Sequence, residues 1–188
     1  MESGFSTLAT VAATLFGLVL IALVFAYTTA ISRIDSIGDF SHFASWVWSA
    51  GFSCFLYFSC CFLISFRLLE DETWLPAIVG IVVAITILLI FSHYKEIHWL
   101  RIMVNEDREV FRGFFRMQTI LPISIFLFFQ IMIWRGIMRL SIRSSFESAM
   151  YTALTYTLFF AAMRAVILVG ASFAAIIKLH NCKNGKNE

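Results

Sequence analysis

Arg164 lies close to the middle of the apolar stretch 151–179, which is long enough to cross a membrane as a helix. An ionised side chain inside a spanning helix is costly, so it indicates a functional site by default. When the sequence is divided into segments by hydropathy, none of its twelve acidic residues lies inside an apolar segment. We therefore expect no carboxylate partner at the depth of Arg164.

The expected partners of Arg164 are Gln130, backbone carbonyls, the hydroxyls of Thr155 and Thr157, water, lipid phosphate or a passing anion. Two interpretations follow. Arg164 either snorkels or bonds to a neighbouring helix, or it lines a polar path that favours anions over cations, with Gln130 as the second candidate residue on that path.

The remaining side chains that could bind a metal ion are those of histidine and cysteine. Imidazole and thiolate are zinc and copper ligands, but no two histidines stand at i, i+4 on one helix. No C-x-x-C pair, glycine-rich phosphate loop or acidic cluster with catalytic spacing is present. We expect interfacial histidines, no metal site, no cofactor and no enzymatic activity. The histidines, with the cysteine beside the last of them, are His42, His93, His98, His180 and Cys182.

The elements that must position these residues are transmembrane helices. The chain is 60% hydrophobic and 14% charged with a mean hydropathy of +0.85, whereas soluble domains average about 45–50% apolar and about 25% charged. The apolar residues form blocks separated by charged segments, which predicts a single all-α polytopic membrane domain over 1–188. The predicted spans are 6–30, 44–66, 74–92, 119–134 and 149–178. The fourth is short and contains Pro122, so it either crosses the membrane or is re-entrant, leaving four spans.

Between the third and fourth spans, segment 94–118 alternates apolar residues with basic ones at helical spacing. This pattern predicts an amphipathic cytoplasmic segment, formed by helices projecting past the membrane and turning back or by a lipid-binding surface. A second basic stripe follows the fourth span. The residues expected to bind anionic lipid or an acidic partner are Arg108, Arg112, Arg116, Arg135, Arg139 and Arg143.

Small residues recur every four positions in the first and last spans. Such faces let helix backbones approach closely in lipid, either within one protomer or between copies. We expect helix packing and homo-oligomer contacts here. The positions are Ala9, Ala13, Gly17, Ala161 and Ala165.

The distribution of basic residues predicts the topology. Five spans place nine Lys and Arg residues on the side of segment 94–118 and the C-terminus, against four on the other side, with Arg164 counted as intramembrane. The positive-inside rule then puts the N-terminus outside and the C-terminus in the cytoplasm. The net charge of +2 is too mild to imply a nucleic-acid partner.

The opening run 9–18, Ala-Thr-Val-Ala-Ala-Thr-Leu-Phe-Gly-Leu, resembles the first helix of small polytopic proteins of prokaryotes, which implies a bacterial or archaeal cell membrane and no particular function. From the residues themselves we expect a self-associating channel or transport component with an anion-favouring path near Arg164. The alternative is a non-conducting anchoring or sensing subunit. It would recruit a cytoplasmic protein or anionic lipid through the Arg-rich segment.

Overall fold

A computed structural model describes residues 2–33, 37–69, 74–106, 108–138 and 143–184, with side chains described for 4–32, 41–69, 76–102, 118–138 and 146–177. The described chain consists of five helices: α1 (Glu2–Arg33), α2 (Ile37–Arg67), α3 (Trp74–Glu106), α4 (Arg108–Met138) and α5 (Arg143–Asn184). A helix satisfies its backbone groups internally, which hydrocarbon surroundings require.

All five helices are long and apolar enough to cross a membrane, which indicates a membrane protein. The candidate spans are Gly4–Ser32, Ser41–Arg67, Pro76–Ile102, Gln118–Met138 and Phe146–Ile177. The fourth, uncertain from sequence, therefore has sufficient length. Pro122 lies inside α4 without ending it.

Helices α2, α3, α4 and α5 form a closed ring in which each packs against the next, and α1 packs outside it against α2 and α5. Sequential helices run antiparallel, because a contact further along one helix lies further back on the next. Between α1 and α2, Phe16 meets Phe55 and Leu23 lies against Gly51, and between α3 and α4, Thr86 bonds Gln130 and His93 meets Phe126. Within the described residues, α3 and α5 face each other across the ring without close backbone approach. Long side chains must bridge that gap.

The third span differs from the prediction. Sequence hydropathy ended it at 92, where polar residues begin, but α3 continues without a break to Glu106. Segment 94–118 is therefore not a separate amphipathic helix, which agrees with the first of the two alternatives, helices that continue past the predicted spans. It comprises the end of α3 and the start of α4, which are separated by Asp107 alone, a residue outside the described part of the chain.

Candidate functional site

The buried face of α3 carries polar side chains into the middle of the helix ring. Buried residues recur every three or four positions along this face. The first four are apolar, the next three are polar and the last is a leucine. Lys95 and Tyr94, on the opposite face, are exposed. The buried stripe consists of Ile78, Val82, Ile85, Leu89, Ser92, His93, Glu96 and Leu100.

The facing stripe of α5 consists largely of small residues, and Arg164 interrupts it. Ala161 and Leu168 lie one turn to either side of Arg164, and all three are buried. On α2, Cys54 and Tyr57 are fully buried on the face that meets α5 and α3. Tyr57 and Arg164 lie near the middle of their candidate spans, whereas Glu96 lies six residues before the end of its own at Ile102.

Arg164 and Glu96 form a buried ion pair across the ring. Arg164 Nη2 donates to Glu96 Oε2 over 2.5 Å, and the two side chains are 3% and 2% exposed. A charged hydrogen bond of this kind is stronger than a neutral one, and the dry surroundings strengthen the attraction further. The pair joins α3 to α5, which face each other across the ring without close backbone approach.

His93 connects the ion pair to Tyr57. Its Nδ1 lies 3.3 Å from Glu96 Oε2, and its Nε2 lies 3.3 Å from Tyr57 Oη and 3.5 Å from Arg164 Nη1. One neutral tautomer suits all three contacts, because Nδ1–H then donates to the carboxylate and Nε2 accepts from Tyr57 and Arg164. A charged imidazole would direct an N–H group at the guanidinium. The cluster therefore contains one negative charge, one positive charge and two neutral groups.

Aromatic rings from α4 close the fourth side. Phe126 meets the His93 ring edge-on at 5.7 Å between centroids, and Phe129 meets the Tyr57 ring in the same way at 5.4 Å. These apolar walls lower the local dielectric, so the charges interact strongly with each other and with any ion that enters. We call Tyr57, His93, Glu96 and Arg164 the polar cluster.

The second carboxylate oxygen of Glu96 is not used by these contacts. Glu96 Oε1 is buried and has no hydrogen-bond partner among the described residues, whereas Oε2 accepts from both Arg164 and His93. An unpaired buried acceptor is costly, so an exception of this kind requires an explanation. Among the described residues, this oxygen is an acceptor that the cluster leaves unused.

The expectation that Arg164 lacks a carboxylate partner was wrong. Glu96 was predicted to lie in the amphipathic cytoplasmic segment 94–118, but α3 continues past residue 92 and turns this side chain inward. Arg164 does not snorkel, since it is buried and bonded to a neighbouring helix. Thr155 and Thr157 bond instead to carbonyls of their own helix, those of Tyr151 and Ala153.

Gln130 lies in a different polar contact. Its amide nitrogen donates to Thr86 Oγ1 over 2.9 Å, and its oxygen accepts from Trp134 Nε1 over 3.0 Å. The first bond ties α4 to α3, the second lies within α4, and neither reaches Arg164. The two residues predicted to share a polar path therefore have separate partners in the structure.

The small-residue positions divide into buried and outward-facing ones. Ala161 and Ala165 are buried on α5, and Ala9 is buried on α1. Ala13 is exposed, and a Cβ atom added at the half-buried Gly17 would meet nothing within 4 Å. Ala12, fully buried beside them, packs against the rest of the bundle instead. Ala13 and Gly17 remain candidates for a contact between copies.

Most of the basic residues predicted to bind lipid or a partner lie outside the described side chains. Arg108, Arg112 and Arg116 belong to the first part of α4, Arg143 is the first residue of α5, and the position of Arg139 is not described. Arg135, in the last turn of the described α4, is exposed.

His93, predicted to be interfacial, is buried in the polar cluster, nine residues before the end of its candidate span at Ile102. His42 is half-buried and its ring lies 5.9 Å from that of Trp99, while His180 and Cys182 have no described side chains. Within the described part of the chain, no group of three or more His, Cys, Asp or Glu residues could hold a metal ion.

Comparison of the chain with protein-family models, with curated proteins and with solved structures finds no significant match. Its function must therefore be argued from its own residues.

Proposed function

We propose that this protein is a membrane transport component in which protons pass through, or are coupled at, the polar cluster inside the ring of α2 to α5. The observation that supports this proposal is the buried network that joins Tyr57, His93, Glu96 and Arg164, all within the candidate spans. Intramembrane ionisable residues that pair with one another are typical of ion pathways and proton relays.

The ion pair changes the sequence-based hypothesis of an anion-favouring pore. A lone buried Arg would attract anions, but the charge of Arg164 is compensated by Glu96 at hydrogen-bond distance. Carboxylate, imidazole and phenol can all carry protons, and they are in contact with one another. The cluster is complete within one chain, so the proposed activity does not require a pore between copies.

Proton flux into proteoliposomes tests this proposal. Vesicles containing a trapped pH-sensitive dye and potassium chloride receive an inward proton gradient, with valinomycin and potassium holding the membrane potential at zero. We expect wild-type protein to acidify the lumen faster than protein-free vesicles, and Glu96→Gln to remove the increase. Glutamine keeps the size and the acceptor oxygen of the side chain but carries no transferable carboxyl proton.

Lys95→Gln is the matched control, because Lys95 is the neighbouring charge on α3 and lies on its exposed face. This variant should retain wild-type flux. Equal flux in Glu96→Gln and Lys95→Gln, or a wild-type rate no higher than that of empty vesicles, would contradict the proposal. Elution from a sizing column in mild detergent checks that each variant is folded.

A further inference from the structure

The charges of the polar cluster restrict what can enter it. The ionisable groups that face Glu96 and Arg164 are Tyr57 and Cys54 from α2 and His93 from α3, with none from the described part of α4. Tyr57 and His93 are neutral in the arrangement described above, and a buried free cysteine such as Cys54 behaves as a small uncharged hydrophobe. The cluster therefore has zero net charge while Glu96 and Arg164 are paired.

A single added ion would break this neutrality in a dry site. A proton bound alone leaves the cluster with one positive charge, and an anion bound alone leaves it with one negative charge. An uncompensated charge is costly to hold among apolar side chains such as Phe126 and Phe129. A proton and a monovalent anion that bind together leave the net charge at zero.

The atoms needed for joint binding are present. Glu96 Oε1 has no partner and is the position at which the carboxylate can take a proton. Once protonated, the carboxyl no longer neutralises Arg164, whose guanidinium has more N–H donors than its two described contacts use. The released guanidinium can bind a small anion through two parallel N–H groups.

We propose that the polar cluster binds one proton, on Glu96 Oε1, together with one small monovalent anion, on Arg164, and moves the two across the membrane as a neutral unit. The inference rests on the proposed transport function and specifies its substrate class. No bond other than the O–H bond of Glu96 forms or breaks, and the proton and the anion leave together. His93 positions the carboxylate, and Tyr57 in turn holds His93.

The test uses chloride and nitrate as probes. Proteoliposomes without a pH gradient receive an inward gradient of either potassium salt, and lumen pH and lumen chloride are recorded with separate dyes while valinomycin and external potassium set the membrane potential. Wild-type protein should acidify the lumen as the anion enters, in a ratio of one proton to one anion. Changing the imposed potential should leave the rate unchanged.

Two variants separate the roles of the two residues. In Glu96→Gln the side chain is permanently uncharged, so anion exchange should continue. The rate of anion-driven acidification should fall by about tenfold or more, a factor within the usual range of coupling between two sites. Arg164→Met should lose both activities, and Lys95→Gln should lose neither. Retention of anion exchange in Glu96→Gln also shows that this variant is folded.

The outcomes distinguish the inference from the proposed function. Proton flux that ignores chloride and nitrate and follows the membrane potential would overturn the symport and leave the proton pathway intact. Absence of proton flux and of anion flux in the wild type would overturn both. Loss of anion exchange in Glu96→Gln would also contradict the inference. According to the proposed charge balance, the anion binds Arg164 whenever the side chain of residue 96 is uncharged.

Discussion

At the scale of single residues, Glu96 and Arg164 depend on each other. Each would be a costly charge alone in the ring, and the ion pair between them removes much of that cost. Replacing a buried ion pair with apolar residues of similar volume is commonly neutral or stabilising, so stability alone does not account for this pair. Its position beside His93 and Tyr57 agrees better with a role in transport.

This dependence predicts the stability of variants. Arg164→Met leaves the Glu96 carboxylate buried without its partner and should lower the free energy of unfolding by about 3–5 kcal/mol. The double variant Glu96→Leu/Arg164→Met removes both charges and should recover most of that loss while remaining inactive in transport. Reversible unfolding in mixed detergent micelles measures both. A double variant as unstable as Arg164→Met alone would contradict the mutual compensation of the two charges.

At the scale of elements, close approach of the helices depends on particular glycines. A Cβ atom at Gly51 of α2 would lie 2.7 Å from Leu23 Cδ1 of α1, whereas one at Gly170 of α5 would meet nothing within 4 Å. Both glycines stand inside helices, so the same substitution changes helix propensity similarly at each. Only the first position should be sensitive to added volume.

Valine at these two positions makes a matched comparison. Gly51→Val should destabilise the protein by about 1–3 kcal/mol relative to Gly170→Val, because extra methyl groups in a packed contact displace the neighbouring helix. Thermal unfolding in detergent, followed by the loss of helical circular dichroism, provides the measurement. If both variants unfold at the same temperature, α1 does not pack against α2 as closely as described.

Hydropathy was sufficient to predict the five helices and their order, since each is long and apolar. It could not place the end of α3, because mean hydropathy does not distinguish the buried face of a helix from the exposed face. The signal was present: Glu96 stands seven residues after Leu89 and four before Leu100, on the buried stripe of both. No local sequence pattern predicts its pairing with Arg164. The pairing depends on the rotation and depth of α3 and α5, whose backbones do not approach closely.

At the scale of the whole molecule, the ring of α2 to α5 contains the polar cluster and α1 is peripheral. Much of α1 is exposed in its apolar span, including Leu18, Ile21 and Phe25, as expected for a lipid-facing helix. The orientation of the ring in the membrane remains the prediction made from charge. That orientation decides which aqueous phase each end of the ring faces.

Reporter fusions test the orientation. Green fluorescent protein joined after residue 188 should fluoresce, and alkaline phosphatase joined within 139–142 should be active, because the positive-inside rule places the first in the cytoplasm and the second outside. The reciprocal fusions, with the two reporters exchanged, should be inactive. The opposite pattern would mean that the nine basic residues on the side of the C-terminus do not determine the topology.

The separation of Glu96 and Arg164 along the chain has a consequence for biosynthesis. The two residues are 68 positions apart, which at about 5–20 residues per second corresponds to roughly 3–14 s of translation. During this interval α3 is complete but its carboxylate has no guanidinium to pair with. Since Glu96 lies six residues from the end of its candidate span, the nascent helix can keep it at the headgroup level. The proposed binding site is therefore complete only after α5 has been synthesised and Arg164 can pair with Glu96.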